Sequence, residues 1–327
     1  MLIILFFMME KTTTTTTTTQ PLPYWSVLTD ALVKERNGLF PNLLRCRQNI
    51  CLSGGGVVGF YETGVLCYLQ SLISSTIVTT NNFHHIYGTS AGAFAAVFLA
   101  YILNEPNNKW IIDKFMEKVD DIFFSRKPTT TTKRRACYYF RKLLEELLPE
   151  NINEYCTDRV FIKIYVFENF QFREKIISQY ASKAHVIDAV YASMAIPLLS
   201  IPYMWHSYYC PYENKYFMAF DGLFPTIVDL SYPTLNVNIM LHTYPMWKRI
   251  NVFENSYDFL VMEGIMDMDR FLQQQQEEEE DKEYVVEEGG VLHYNNMLLE
   301  KKSSLGRKKM RLVVYNLGFL MVSYFLI

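Results

Sequence analysis

Apolar and polar positions along the chain change period several times, and each change marks an element. Asn49-Ile-Cys-Leu52 is an apolar run that breaks at Ser53-Gly-Gly-Gly-Val-Val-Gly59, which predicts a strand running into a tight turn. Beyond the turn, Tyr61, Val65, Leu66 and Leu69 fall on one side of a helix, so strand, glycine loop and helix span Gln48 to Ser74. The same succession follows at once: a strand over Phe83 to Tyr87, a break at Gly88-Thr-Ser-Ala-Gly92, and a helix over Ala91 to Leu103. That second helix is apolar nearly all round, as expected of one buried under other layers. Val160 to Phe167, Tyr216 to Phe220 and Val237 to Leu241 read as further strands, and His185 to Ala195 as a helix stopped by Pro197. Strands alternating with helices predict an α/β fold on a mainly parallel sheet.

The flanks carry weaker patterns. Leu28, Leu32 and Val33 recur at helical spacing within a lead-in over Pro21 to Asn42. The first twenty residues hold a short apolar run and the threonine tract Thr12 to Thr19; with no basic n-region and no cleavage site they read as a leader of low order, a signal peptide being the alternative. A second tract, Thr129 to Thr132, beside Lys133-Arg134-Arg135, predicts a surface loop. Leu143, Leu144, Leu147 and Leu148 form an apolar stripe opposite Arg141, Lys142, Glu145 and Glu146, to be packed on the core or laid over a lipid cleft. Gln273 to Glu280 is polar and acidic, a solvated loop or helix end. Leu312 to Ile327, behind the basic run Arg307 to Arg311, would reach roughly 24 Å as a helix at 1.5 Å per residue, short of a hydrocarbon core of about 30 Å. Its expected role is a buried terminal element, with an integral tail anchor as the alternative. These patterns divide the chain into a leader and helical lead-in (1–45), a central domain (46–245) and a C-terminal helical and acidic region with an apolar tail (246–327).

Composition narrows the class. Half of the 327 residues are hydrophobic and 15% aromatic, which predicts globular order. A net charge of −3 with no basic stripe gives no reason to expect a nucleic-acid partner. The six cysteines are dispersed, without a Cys-x-x-Cys pair, and sit mostly in apolar stretches; buried free thiols in a reducing, cytoplasmic setting are expected.

The two glycine turns carry the chemistry. Gly54, Gly56 and Gly59 have the spacing of a dinucleotide fingerprint, but that fold wants an acidic residue closing a second strand about twenty residues on, and Gln70 to Asn82 holds none. The alternative use of such a loop is to aim backbone N–H groups at a developing oxyanion. Gly88-Thr-Ser-Ala-Gly92, between a strand and a helix, is the arrangement that lifts a serine hydroxyl on a strained elbow at a helix N-terminus. Ser90 needs a base. His242 and His293 lie downstream and leave a Ser-His-Asp arrangement open. Asp221, following an apolar strand and preceding Gly222, is the other choice, since strand ends in such a sheet converge.

At these residues the chain resembles the patatin-like phospholipases. The matching blocks are Ser53 to Gly59, Gly88 to Gly92, Ala192-Ser-Met-Ala-Ile-Pro197 and Asp221-Gly222, in the family's order, within Asn49 to Leu241. The resemblance implies a three-layer α/β/α sandwich and lipid acyl hydrolysis at a membrane surface, with no metal and no cofactor. Ser90 would be the nucleophile, Asp221 its base, and the amides of Gly54, Gly55 and Gly56 the oxyanion hole, while Gly59, Gly88, Gly92 and Gly222 are motif glycines. Two positions depart from the family: Val58 stands where many members carry a basic residue, and Leu223 where a small one is usual. Tyr203, Met204 and Trp205 are expected to pack in the core, or else to form an acyl-binding wall or membrane-facing edge. A non-catalytic lipid-binding module that keeps the fold is the alternative outside enzymes.

Overall fold

A computed structural model describes residues 24–36, 47–108, 111–119, 121, 136–198, 200–223, 226–232, 234–237 and 257–280. The N-terminal leader, both threonine tracts, Cys46, His242, His293 and the 312–327 tail lie outside them. Among the described residues no helix is long and apolar enough to cross a membrane.

Eight α-helices and seven strands are described: α1 (Tyr24–Glu35), β1 (Gln48–Leu52), α2 (Phe60–Ser74), β2 (Phe83–Thr89), α3 (Ala91–Asn104), α4 (Ile111–Val119), α5 (Ala136–Leu147), α6 (Ile152–Cys156), β3 (Val160–Glu168), β4 (Gln171–Ile177), α7 (Lys183–Ser193), β5 (His206–Cys210), β6 (Lys215–Phe220), β7 (Thr234–Val237) and α8 (Tyr257–Glu280). The strands form one sheet in the order β5-β6-β3-β2-β1-β7, with β4 on the far edge of β3. β1 is buried along its whole length between two parallel neighbours, β2 and β7, which is why its sequence is a continuous run and not an alternation. The apolar helix α3 runs beside β2 and is buried from Gly92 to Leu103, as its all-round pattern predicts. Layers of helix on sheet give the α/β sandwich.

The sheet is more mixed than the pattern predicts. β1–β2, β1–β7 and β2–β3 are parallel, whereas β3–β4, β3–β6 and β5–β6 are antiparallel. Two hairpins bring in the antiparallel half. β4, Gln-Phe-Arg-Glu-Lys-Ile-Ile, is exposed over its first four residues and β5 is short and polar, so neither has the buried run that announces a strand.

The stripe on α5 turns inward: Leu143, Leu144 and Leu148 are buried in the main core. Tyr203 and Trp205 go the other way, 68% and 45% exposed, against the expectation of core packing. They lie in the segment between Pro197 and β5. The acidic run Glu277–Glu280 closes α8, whose buried Leu260, Val261, Ile265, Met268 and Leu272 join the same core although they lie past position 245. α8 crosses α2 with backbone against backbone: a Cβ on Gly64 would stand 2.0 Å from Val261 O, and one on Gly264 2.1 Å from Tyr61 O. Asp269 on α8 then accepts from Tyr68 Oη at 2.6 Å and Arg36 Nε at 2.7 Å, tying α1, α2 and α8 together.

Candidate active site

β3 decides where the serine and the aspartate meet. Its residues pair with β4 along one edge, so β2 and β6 must share the other. β2 runs parallel to β3 and ends with Thr89 opposite Lys163; β6 runs antiparallel and ends with Phe220 opposite Tyr165. The two strands therefore abut end to end, and the residues that follow them, Ser90 and Asp221, face each other across the gap. The carboxyl ends of the two strands thus converge as expected, but from opposite directions along β3 and not as parallel neighbours.

Ser90 is the N-cap of α3 with φ 53° and ψ −126°, a backbone conformation that costs a non-glycine residue on the order of 1–3 kcal/mol. Its Oγ donates to Asp221 Oδ2 at 2.7 Å, and both residues are buried, 7% and 8% exposed. The other carboxylate oxygen, Oδ1, accepts from Leu223 N at 2.8 Å, which fixes the plane of the carboxyl. Burial pushes the Asp221 pKa up to about 6, a rise that the hydrogen bonds from Ser90 and Leu223 partly offset. The described histidines are engaged elsewhere: His185 with Tyr208 Oη at 2.6 Å, His206 with Asp188 at 3.0 Å, and His84 and His85 beside Asp229.

The glycine loop lies against this pair. A Cβ on Gly54 would stand 2.4 Å from Ser90 Cβ and 3.2 Å from Ser90 Oγ, so only glycine lets the loop approach the hydroxyl this closely. Gly92 has the same role behind the serine, with Leu52 O only 2.1 Å from its Cβ position. Gly59, Gly88 and Gly222 are approached as closely: a Cβ there would stand 2.5 Å from Ala91 Cβ, 2.5 Å from Gly92 O and 2.2 Å from Lys163 O. Gly55 is buried, and Gly56, with φ 63°, opens the short 3-10 turn Gly56–Gly59 that leads into α2. Among the described residues the N–H groups of Gly54, Gly55 and Gly56 donate to no backbone carbonyl. Of the two departures from the family pattern, Leu223 adopts φ 58° and is exposed at the rim, and the Val58 side chain lies outside the described set.

Sequence reasoning matched the Ala192–Pro197 block without assigning it a task. Ser193, wholly buried, accepts from Ser90 N at 2.9 Å and donates to Lys163 O at 2.7 Å. Its carbonyl accepts from Gly222 N at 3.1 Å, and Ala195 O accepts from Asp221 N at 3.0 Å. One helix end therefore holds the backbone of both facing residues. A serine on an otherwise apolar buried helix face was the available signal.

These features define a class: an α/β sandwich with a serine on a strand–helix elbow, a carboxylate within hydrogen-bond reach of it, and a glycine loop alongside. The profile of the patatin-like phospholipase family matches residues 50–224, and the chain belongs to that family. Omega-hydroxyceramide transacylase of Mus musculus is 23% identical over 151 residues, 46% of this chain and 24% of that protein. 1-Acylglycerol-3-phosphate O-acyltransferase Pnpla3 of Mus musculus is 25% identical over 158 residues, 47% of this chain and 35% of that protein. The chain thus spans about a quarter to a third of the length of these relatives. No solved structure matches it.

Proposed function

We propose that this protein is a lipid acyl hydrolase working through a Ser90–Asp221 dyad and an acyl-enzyme. The 2.7 Å hydrogen bond from Ser90 Oγ to Asp221 Oδ2 carries the reading, because it is within the reach a general base needs and has no imidazole between its ends. Ser90 Oγ attacks the ester carbonyl carbon as its proton passes to Asp221. The carbonyl oxygen becomes an oxyanion held by amides of Gly54 to Gly56, a contribution of about 3 kcal/mol per donor in comparable sites. The ester C–O bond then breaks, the alkoxide leaves with the proton from Asp221, and the acyl group stays on Ser90. Water then attacks the acyl carbon as its proton passes to Asp221, the Ser90 Oγ–acyl bond breaks as that proton returns to Ser90, and the fatty acid leaves. An Asp221 pKa raised to about 6 makes the carboxylate a stronger base while leaving it ionised at neutral pH.

Family membership supports a lipid substrate, and the exposed Tyr203, Trp205 and Leu223 suit a cytoplasmic membrane surface bearing phospholipid or neutral lipid. The names of the two relatives, a transacylase and an acyltransferase, support a second fate for the acyl-enzyme, transfer to a lipid hydroxyl in place of water. Ser90→Ala is expected to abolish release of fatty acid from an acyl ester and transfer to an added lipid alcohol together, with an unchanged circular dichroism spectrum. Full residual activity in folded Ser90→Ala protein overturns the reading.

A further inference from the structure

At the opposite end of β2 from Ser90, the register of the β1–β2 pair slips. Gln48 is opposite Phe83 and Ile50 is opposite Ile86, so β1 advances two residues where β2 advances three, and His84 and His85 together oppose Asn49. This is a β-bulge. In a regular strand consecutive side chains point to opposite faces. Here the bulge brings the two imidazoles together, with ring centroids 3.8 Å apart and planes 34° from parallel.

Both rings face Asp229, from the segment between Asp221 and β7. His84 Nε2 is 3.4 Å and His85 Nδ1 3.8 Å from Asp229 Oδ2, and the three donor atoms all lie within 4.8 Å of one another. The aspartate is held from several directions. Its Oδ1 accepts from Ser231 N at 2.8 Å, its N–H donates to Tyr87 Oη at 3.1 Å, and its carbonyl accepts from Asn49 Nδ2 at 2.7 Å. Oδ2 faces the rings, and His85 Nδ1 also lies 3.2 Å from Tyr87 Oη, a contact that a bound ion would replace. Among the described residues His84 Nδ1 is buried with no partner, and the ring's polar engagement there is through Nε2, on the Asp229 side.

The spacings are long for direct hydrogen bonds and close to the roughly 3.3 Å between donors around a tetrahedral ion with bonds of about 2.0–2.1 Å. Two imidazoles and one carboxylate form a donor set for a borderline ion of the zinc class, not for calcium or magnesium. All three side chains are partly exposed, which leaves an entry path and room for water as the fourth ligand.

We propose that His84 Nε2, His85 Nδ1 and Asp229 Oδ2 bind a zinc-class divalent cation that staples the segment following Asp221 to the base of β2. His85 and Ser90 are five strand residues apart, roughly 16 Å at 3.3 Å per residue, so the ion holds the fold and takes no part in acyl transfer. This inference stands independently of the proposed reaction.

The test is a zinc titration of the metal-free full chain by calorimetry, with thermal unfolding followed in parallel. The expected result is one zinc ion per chain at micromolar affinity or tighter, and a midpoint of unfolding several degrees higher. Asp229→Asn, which keeps the side-chain shape, and His84→Ala/His85→Ala should each weaken binding by at least about a hundredfold. If the double variant fails to fold, Asp229→Asn and cobalt substitution decide: cobalt should give ligand-field bands without a thiolate charge-transfer band. No stoichiometric zinc, affinity unchanged in Asp229→Asn, or a thiolate band from the cysteines would each overturn the assignment.

Discussion

Ser193 shows how much of this site depends on one hydroxyl that touches no substrate. Its Oγ bridges Ser90 N–H and the Lys163 carbonyl, so removing it leaves two buried backbone groups unpaired at roughly 1–3 kcal/mol each. Ser193→Ala is therefore expected to lower stability by a few kcal/mol in a urea titration. It should also lower kcat more than it raises KM, because the elbow geometry loosens while the lipid surface is untouched. Equal activity and stability would show that the bridge is dispensable. Ser90 and Asp221 were legible because glycine patterns and a strand end frame them. Ser193 was not, because a serine in an apolar helix face announces burial and not what it bonds. His84 and His85 were silent for a different reason: adjacent residues in a strand normally diverge, and only the bulge, which depends on the pairing of β1 with β2, turns them to one side.

Among the elements, the buried ones were legible and the exposed ones were not. β1 and α3 follow from continuous apolar runs, α2 from apolar positions at helical spacing and β2 from its place before the second glycine turn, whereas β4 and β5 carry their polar residues at a sheet edge and lack a period to read. The abutment of β2 and β6 on one edge of β3 could not be inferred either, since it depends on which strand takes which edge. The α2–α8 crossing is a sharper case of tertiary control. Gly264 in the middle of a helix costs about 1 kcal/mol against alanine, and a sequence-based reading would replace it. At the crossing, however, Tyr61 O stands 2.1 Å from the Cβ position, and a backbone carbonyl inside a helix has no room to retreat. The clash outweighs the propensity gain, so Gly264→Ala is expected to destabilise by roughly 1–3 kcal/mol, read as a lower midpoint of thermal unfolding. A higher midpoint would mean that the helices are not in backbone contact.

For the whole molecule, the proposed acyl-transfer site lies at one end of β2 and the proposed ion site at the other, and Tyr203 and Trp205 are exposed in the loop before β5. Full burial of an aromatic side chain in an apolar phase is worth about 1.5–3 kcal/mol. Tyr203→Ser with Trp205→Ser is accordingly expected to weaken sedimentation with phospholipid vesicles by at least tenfold, while hydrolysis of a soluble short-chain ester stays unchanged. Loss of both activities together would assign these side chains to the fold. The central claim, that Asp221 is the base for Ser90, has an opposite signature in stability and in reactivity. Its folded pKa of about 6 lies above the ordinary 3.8, so the stability linked to it is fully present below pH 3.8 and is lost as pH rises through 6. Reactivity moves the other way, because the base must be ionised. The most direct measurement is the rate at which a fluorophosphonate labels Ser90 between pH 4 and 8, in the wild-type protein and in Asp221→Asn. The account predicts a rate that climbs with a midpoint near 6 in the wild type and falls about 10²–10⁴-fold at neutral pH in Asp221→Asn, while that variant unfolds at a higher temperature above pH 6. Labelling of Ser90 at the same rate in both proteins would contradict it.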